Sequence, residues 1–100
     1  MADLRLALKG EYFDQIRAGK KNHEYRLITP YWQKRLVDRE YDSVILTKGY
    51  PKRGDKERTL VRPWRGFMRI WLTHEHFGPD PVRVFAIILW PHPTPTGESE

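Results

Sequence analysis

The sequence predicts a mixed α/β domain that is mainly β, built as a small barrel of about five strands with two short helices. Its 100 residues suit one domain with one core. Several short segments alternate between apolar and polar residues, and turn residues separate them. Closing these strands into a barrel would remove edges that so small a chain cannot otherwise cover. We place the domain at residues 1–90 and a disordered, proline-containing tail at residues 91–100.

The first part of the chain predicts the order strand, helix, strand. Leucines alternate with other residues from Leu4 to Lys9, as in a half-buried strand. Apolar residues then recur at helical spacing between Tyr12 and Arg17, and Gly19 stands where a left-handed residue would end that helix. Residues 22–28 alternate again, with charged and apolar side chains on both faces. This second strand should therefore lie at an edge or beside a site.

A second helix and a buried strand follow. Thr29 supplies a hydroxyl before Pro30, the arrangement typical of a helix N-terminus. Residues 43–47 are largely β-branched and apolar, which predicts a strand buried on both sides. The connection from Lys48 to Arg58 combines turn residues with several cations. We expect this connection to be a flexible basic loop that can close over a ligand.

The last part of the chain predicts more strands. A strand opening at Leu60 should be broken by Pro63, since proline donates no ladder hydrogen bond. Residues 66–73 alternate between an apolar face and a face that carries arginine and aromatic side chains. Residues 78–81 read as a turn, and residues 84–90 as a closing strand buried on both faces.

Charge and composition narrow the functional classes. Lysine and arginine total 18 against 13 aspartate and glutamate residues, a formal charge of +5, so a polyanion such as nucleic acid is the first partner to consider. The chain has no cysteine, which excludes disulfides, thiolate nucleophiles and thiolate metal sites. No apolar run approaches the roughly 18 residues of a spanning helix, and no signal peptide pattern opens the chain. We expect a cytoplasmic protein with no membrane partner.

The densest group of ionisable residues lies where the first helix passes into the second strand. A helix that ends at glycine would deliver Lys20 and Lys21 at the turn, and the period of two would then place Glu24 and Arg26 on one side of the sheet. One carboxylate and several cations would thus lie close together. The alternative is a surface ion-pair cluster of little energetic weight, about 0 to 1 kcal/mol per pair.

This segment resembles the signature of the ASCH domain family. The resemblance rests on a strand, a helix and a polar motif, carried by Tyr12, Phe13, Ile16 and then Gly19-x-Lys21-x-x-Glu24-x-Arg26. It implies a PUA-like β-barrel and a cytoplasmic protein that binds or processes RNA. Some members of the family are hydrolases, either ribonucleases or amidohydrolases that remove the acetyl group of N(4)-acetylcytidine.

A hydrolase of this family would need particular catalytic residues, and the sequence supplies only some of them. In the amidohydrolase members, the resemblance implies a lysine as general base, a threonine three residues later as nucleophile and a more distant glutamate. Lys21 matches the lysine, but Glu24 stands where the threonine belongs and has no hydroxyl. Thr29 and Thr47 lie elsewhere, and Glu75 is a candidate acid by location alone.

A metal-independent ribonuclease would need a base for the 2′-hydroxyl proton and cations for the phosphate. The tyrosines Tyr12 and Tyr25, Lys21 and Thr47 are available for it. Neighbouring cations favour a neutral amine at Lys21, whereas a nearby carboxylate favours the ammonium. The sequence therefore leaves the protonation state of Lys21 open. The candidate catalytic residues are Lys21, Glu24 and Tyr25.

Binding without catalysis requires less of the sequence. Unstacked bases lie against aromatic or guanidinium planes while cations follow the phosphates, so we expect single-stranded RNA or a nucleotide as partner. Tyr25 or Trp64 would stack a base, and Glu24 would accept from a base amino group or orient Lys21. Core packing is the alternative for Trp64 and Phe67. The candidate binding residues are Lys20, Lys21, Arg26, Lys48, Lys52, Arg53, Trp64 and Arg65.

Two further possibilities complete the interpretation. The sequence His74-Glu75-His76 has the residue types of a metal site, but no third ligand is evident. We expect no metal and no cofactor. His23 is expected to be a hydrogen-bonded residue of the core or its rim rather than a catalyst. A protein-interaction module that meets an acidic partner is the alternative to an RNA-binding domain, and the oligomeric state stays open.

Overall fold

The computed structural model describes residues 2–89, apart from the side chain of His76, so the predicted tail at 91–100 lies outside the described residues. Short turns of 3-10 helix span Lys56–Arg58 and Glu75–Phe77. In chain order, the helices and strands are β1 (Asp3–Leu8), α1 (Gly10–Arg17), β2 (His23–Leu27), α2 (Pro30–Leu36), β3 (Ser43–Lys48), β4 (Thr59–Pro63), β5 (Phe67–His74) and β6 (Gly78–Ile88).

The strands form two three-stranded sheets. The first sheet has the order β1-β3-β4, with β1 parallel to β3 and β4 antiparallel to β3. The second has the order β2-β6-β5 and is antiparallel throughout. The mainly β, mixed α/β class is confirmed, but residues 2–89 form six strands rather than about five. Within residues 2–89 the two sheets are not joined into a closed barrel by strand pairing.

Both helices begin where their sequences predict, and α1 also ends there. At the end of α1, Gly19 has a φ of +78°, and its N–H donates to the carbonyl of Ile16 at 3.0 Å while the N–H of Lys20 donates to that of Gln15 at 2.8 Å. This is the hydrogen-bond pattern of a Schellman motif. At the start of α2, the hydroxyl of Thr29 accepts from the N–H of Trp32 at 3.2 Å, and Pro30 occupies the first turn.

The core lies between the two sheets and under α1. Its two largest members, Phe13 of α1 and Phe85 of β6, are fully buried. Phe67 packs edge-to-face against Phe85 with 5.0 Å between ring centroids, so the core-packing interpretation of Phe67 is confirmed. No helix among the described residues is both long and apolar enough to cross a bilayer. The buried members of this core are Leu4, Leu6, Leu8, Phe13, Ile16, Leu36, Val44, Leu46, Phe85, Ile87 and Leu89.

Two boundaries differ from those that the sequence predicts. β4 continues to Pro63, which is opposite Ser43 at the end of the strand. Proline has no N–H to donate to a neighbouring strand. It is tolerated at the end of β4 because β4 is an outer strand of its sheet. The turn predicted at 78–81 is wrong, since the chain reverses within Glu75–Phe77 and β6 already begins at Gly78. Gly78 has a φ of +102°, a conformation that glycine adopts without steric cost.

Candidate functional site

A cavity of about 500 Å³ lies where the two sheets meet. We call it the edge cavity, because its walls come from the end of β1, from β2 and from the first turns of α1 and α2. β1 and β2 are outer strands of their own sheets. Side chains rather than a backbone ladder connect them, and the guanidinium of Arg26 donates to the carbonyl of Ala7 at 3.2 Å. The lining includes Tyr12, Lys21, Glu24, Tyr25, Tyr31 and Trp32.

Glu24 is a buried carboxylate at this cavity, with 3% of its surface exposed. The strand period places it on the core side of β2, where it is opposite Ile87. Its Oε1 lies 3.3 Å from the ammonium of Lys21, and its Oε2 accepts from Arg26. A buried carboxylate is tolerated when cations compensate its charge. Glu24 therefore holds both cations at the cavity wall.

The ammonium of Lys21 contacts oxygens and aromatic rings of the chain. It donates to the carbonyl of His23 at 2.8 Å and lies 3.3 Å from Oε1 of Glu24. It also lies over two aromatic faces, 4.5 Å from the ring centroid of Tyr25 and 5.3 Å from that of Tyr12. An ammonium has more donors than these oxygens use. Lys21 is thus arranged as a fixed cation with a donor left for a ligand.

Trp32 forms the opposite wall between two guanidinium groups. The guanidinium carbon of Arg26 is 5.3 Å from its ring centroid, and that of Arg35 is 5.5 Å away. Tyr31 meets Trp32 edge-to-face at 5.1 Å. Stacked guanidinium and aromatic planes are the surfaces on which proteins hold unpaired bases.

The tyrosines at the cavity are suited to donate rather than to abstract protons. Burial, and then the carboxylates of Glu11, Glu24 and Glu75, raise the pKa of Tyr12. Burial, and then Glu24, raise the pKa of Tyr25. Both phenols therefore stay protonated near neutral pH. Glu75 itself is exposed.

His23 predicts a pH dependence of stability. Burial, and then the charge of Lys21, hold the pKa of His23 below its ordinary value of 6.5. Between 6.5 and the lower folded value, the unfolded chain binds more protons than the folded one, so stability falls as pH falls. We expect the melting temperature to drop less between pH 7.5 and pH 5 in a His23→Gln variant than in the wild type. Parallel melting curves across that range would contradict this account.

The structure brings together part of the predicted site. Lys21, Glu24, Tyr25 and Arg26 all line the edge cavity. Of the two roles considered for Glu24, its contacts fit the orientation of Lys21. Two other predicted cations, Lys52 and Arg53, line a second cavity, which we call the basic groove. It adjoins the edge cavity and runs beneath residues 50–56.

Four predicted binding residues lie away from both cavities. The ammonium of Lys48 pairs with the carboxylate of Asp14 at 3.3 Å. Trp64 packs edge-to-face against Tyr41 with 5.0 Å between ring centroids, at the margin of the core, so its alternative interpretation as a packing residue describes it better. The remaining two, Lys20 and Arg65, are exposed and line neither cavity.

The sequence-based site lacks several residues that line these cavities. Arg5 and Arg35 line the basic groove, while Tyr31 and Trp32 line both cavities. A signal was present, since a tyrosine and a tryptophan in the first turn of a helix that also carries Arg35 form a compact aromatic and cationic surface.

Neither a cluster of metal ligands nor a similar protein points to a function. Within the part of the chain that the structure describes, no three histidine, aspartate or glutamate side chains are placed to hold a metal ion. No family model, curated protein or solved structure matches the chain.

Proposed function

We propose that the chain is an ASCH-type domain of the PUA-like class that binds a base of single-stranded RNA, or a nucleotide, in the edge cavity. One observation carries the proposal: an aromatic-walled cavity displays two cations, Lys21 and Arg26, which the buried carboxylate of Glu24 holds in place. These residues are also the motif positions on which the family resemblance rests.

The dimensions and chemistry of the cavity support a base as its occupant. A volume of about 500 Å³ falls within the range of small-ligand sites. The planar faces of Trp32 and the cavity tyrosines offer stacking surfaces. Donors on Lys21 and Arg26 complement the carbonyl oxygens and ring nitrogens of a base. A wholly apolar ligand would offer no acceptor to the donors of these two side chains that the protein does not already pair.

The hydrolase alternative has less support. Nζ of Lys21 donates to the carbonyl of His23 and lies 3.3 Å from the carboxylate of Glu24. These contacts use Nζ as a donor, which opposes a role as general base. The hydroxyl of Thr29 accepts from the N–H of Trp32 to cap α2. We expect no product when the protein is incubated with labelled RNA or with N(4)-acetylcytidine between about pH 6 and 9. Turnover that Lys21→Ala abolishes would favour the hydrolase.

Removing the aromatic ring of Tyr31 should weaken RNA binding. Tyr31 lines the edge cavity and is 60% exposed, so Tyr31→Ala should leave the fold intact. Loss of one stacking surface is worth about 1–3 kcal/mol, and we expect the dissociation constant for a labelled RNA hexamer to rise about tenfold. Fluorescence anisotropy measures it.

The matched control for Tyr31→Ala is Trp71→Ala. Trp71 is 68% exposed on β5 and lines neither cavity. If RNA stacks in the edge cavity, Trp71→Ala leaves the affinity within about twofold of wild type. Equal losses in the two variants would indicate nonspecific contact with exposed rings and would refute the proposed site.

A further inference from the structure

The basic groove adjoins the edge cavity. It has a volume of about 840 Å³ and shares Ala7, Arg26, Tyr31 and Trp32 with the edge cavity. The aromatic pair at the start of α2 therefore stands between two adjoining spaces. A ligand in the edge cavity would therefore lie next to the groove, with these shared residues between the two.

The groove is lined by cations that no carboxylate neutralises. Arg5, Lys52, Arg53 and Lys56 line it, and none of them is in an ion pair among residues 2–89. One acidic side chain, Asp55, lines the groove in the described part of the chain. Its carboxylate accepts from Arg58 at 2.8 Å, and this hydrogen bond lowers its pKa. The groove is thus a site for a polyanion.

The connection above the groove is held in place by hydrogen bonds. The hydroxyl of Thr59 donates to the carbonyl of Asp55 at 2.9 Å. The N–H of Asp55 donates to the carbonyl of Lys52 at 3.2 Å. Arg17 of α1 donates to the carbonyl of Glu57, which attaches the connection to the body of the domain. The backbone that carries these cations is therefore restrained before a ligand binds, which lowers the entropic cost of ordering it.

Aromatic and guanidinium surfaces accompany the charges. Tyr50 lines the groove and is 94% exposed. Arg35 lies 5.3 Å from the ring centroid of Tyr31, and its Nε is buried without a hydrogen-bond partner among the described residues. A buried donor without an acceptor is costly. Cations that follow a chain and rings that stack its bases are the two components of a single-strand binding groove.

We propose that the basic groove binds the phosphate backbone of the same RNA strand whose base occupies the edge cavity. This inference rests on the proposed function and extends it, because it makes an oligonucleotide rather than a free nucleoside the ligand. The cations come from β1, from α2 and from residues 52–56, so several separate side chains are available to contact phosphates. A nucleoside triphosphate has the same anionic chemistry concentrated at one end, so the experiment includes it.

The test compares RNA binding by a variant that lacks two groove cations with RNA binding by a control variant that lacks two cations elsewhere. The groove variant is Lys52→Ser with Arg53→Ser. The control is Lys20→Ser with Arg65→Ser, which removes one lysine and one arginine from exposed positions outside both cavities. Both variants have the same net charge. Binding of a random RNA hexamer and of a mixture of the four nucleoside triphosphates is measured across a salt series.

We expect the groove variant to bind the hexamer at least about tenfold more weakly than its control. The slope of log affinity against log salt should fall by about 1.4, since each phosphate contact with a single strand contributes about 0.7. The triphosphates should bind more weakly than the hexamer. Equal hexamer affinity in the two variants would overturn the inference, and so would triphosphates that bind as tightly as the hexamer.

A third variant separates this inference from the proposed function. Tyr12→Leu keeps apolar bulk but removes a ring that lines the edge cavity and not the groove. If Tyr12→Leu weakens hexamer binding while the groove variant equals its control, the base site stands and the groove does not. If the groove variant alone weakens binding, the base site fails and the inference, which needs it, fails too. A wild-type protein that does not bind the hexamer refutes both.

Discussion

Glu24→Gln should lower the free energy of unfolding by about 3 kcal/mol, because removal of one member of a buried charge cluster leaves the others uncompensated. The side chains of Lys21 and Arg26 are only 14% and 20% exposed, so water cannot fully replace the carboxylate. The substitution keeps the shape of the side chain and removes the charge. Urea denaturation followed by tryptophan fluorescence measures the effect.

Asp14→Asn is the matched control for Glu24→Gln. It is also a change from carboxylate to amide within a lysine ion pair, but Asp14 and Lys48 have 57% and 40% of their side chains exposed. An exposed pair of this kind is worth less than about 1 kcal/mol. The two variants therefore differ in burial and not in chemistry. If they destabilise the protein equally, the buried cluster has no special structural role.

Leu46→Ala should destabilise the protein by about 3 kcal/mol. Leu46 is fully buried in β3, the central strand of its sheet, where Leu6 and Leu60 are its neighbours on either side. Truncation of a buried leucine removes apolar contacts and leaves a cavity, which together cost about 2–5 kcal/mol. Because a domain of this size is stable by only about 5–15 kcal/mol, we expect a large fall in the melting temperature.

Leu27→Ala provides the comparison for Leu46→Ala. Leu27 ends β2 with 40% of its surface exposed, so the same truncation removes less buried area and should cost under about 1 kcal/mol. Chemical denaturation of both variants measures the difference. Similar midpoints for the two would contradict the position of the core between the sheets.

Local patterns predicted most of the helices and strands. The alternating leucines of β1 place Leu4, Leu6 and Leu8 in the core. Gly19 ends α1 in the left-handed conformation, and Thr29 caps α2. These features depend on interactions between residues a few positions apart, which a sequence displays directly.

Sheet assembly was less accessible to sequence reasoning. The alternation of β1 and β2 predicts strands, but it does not say whether their edges pair, and here the gap between them is the edge cavity. The reversal after β5 was placed too late because Gly78 and the prolines beside it resemble a turn. Pairing of Gly78 with His74 places Gly78 within β6 instead. Such pairings depend on contacts that no local pattern encodes.

In the candidate site too, short-range features were predictable from the sequence and long-range contacts were not. Lys21, Glu24 and Arg26 lie within six consecutive residues, so the helix cap and the strand period together predicted that they would meet. The pairing of Lys48 with Asp14 spans 34 positions and removed a predicted binding residue from the site. Burial of Glu24 was also unforeseen, because alternation does not reveal which face of β2 is toward the core.

By itself, the sequence determined a basic, cysteine-free, mainly β domain with a cluster of one acid and two cations after a glycine-capped helix. The tertiary structure alone decided that the carboxylate is buried and that Trp32 stands against both Arg26 and Arg35. It also decided that a second, cationic cavity adjoins the first. The physical reason is range: caps and strand periods act over a few residues, whereas burial and cavity walls depend on segments far apart in the chain.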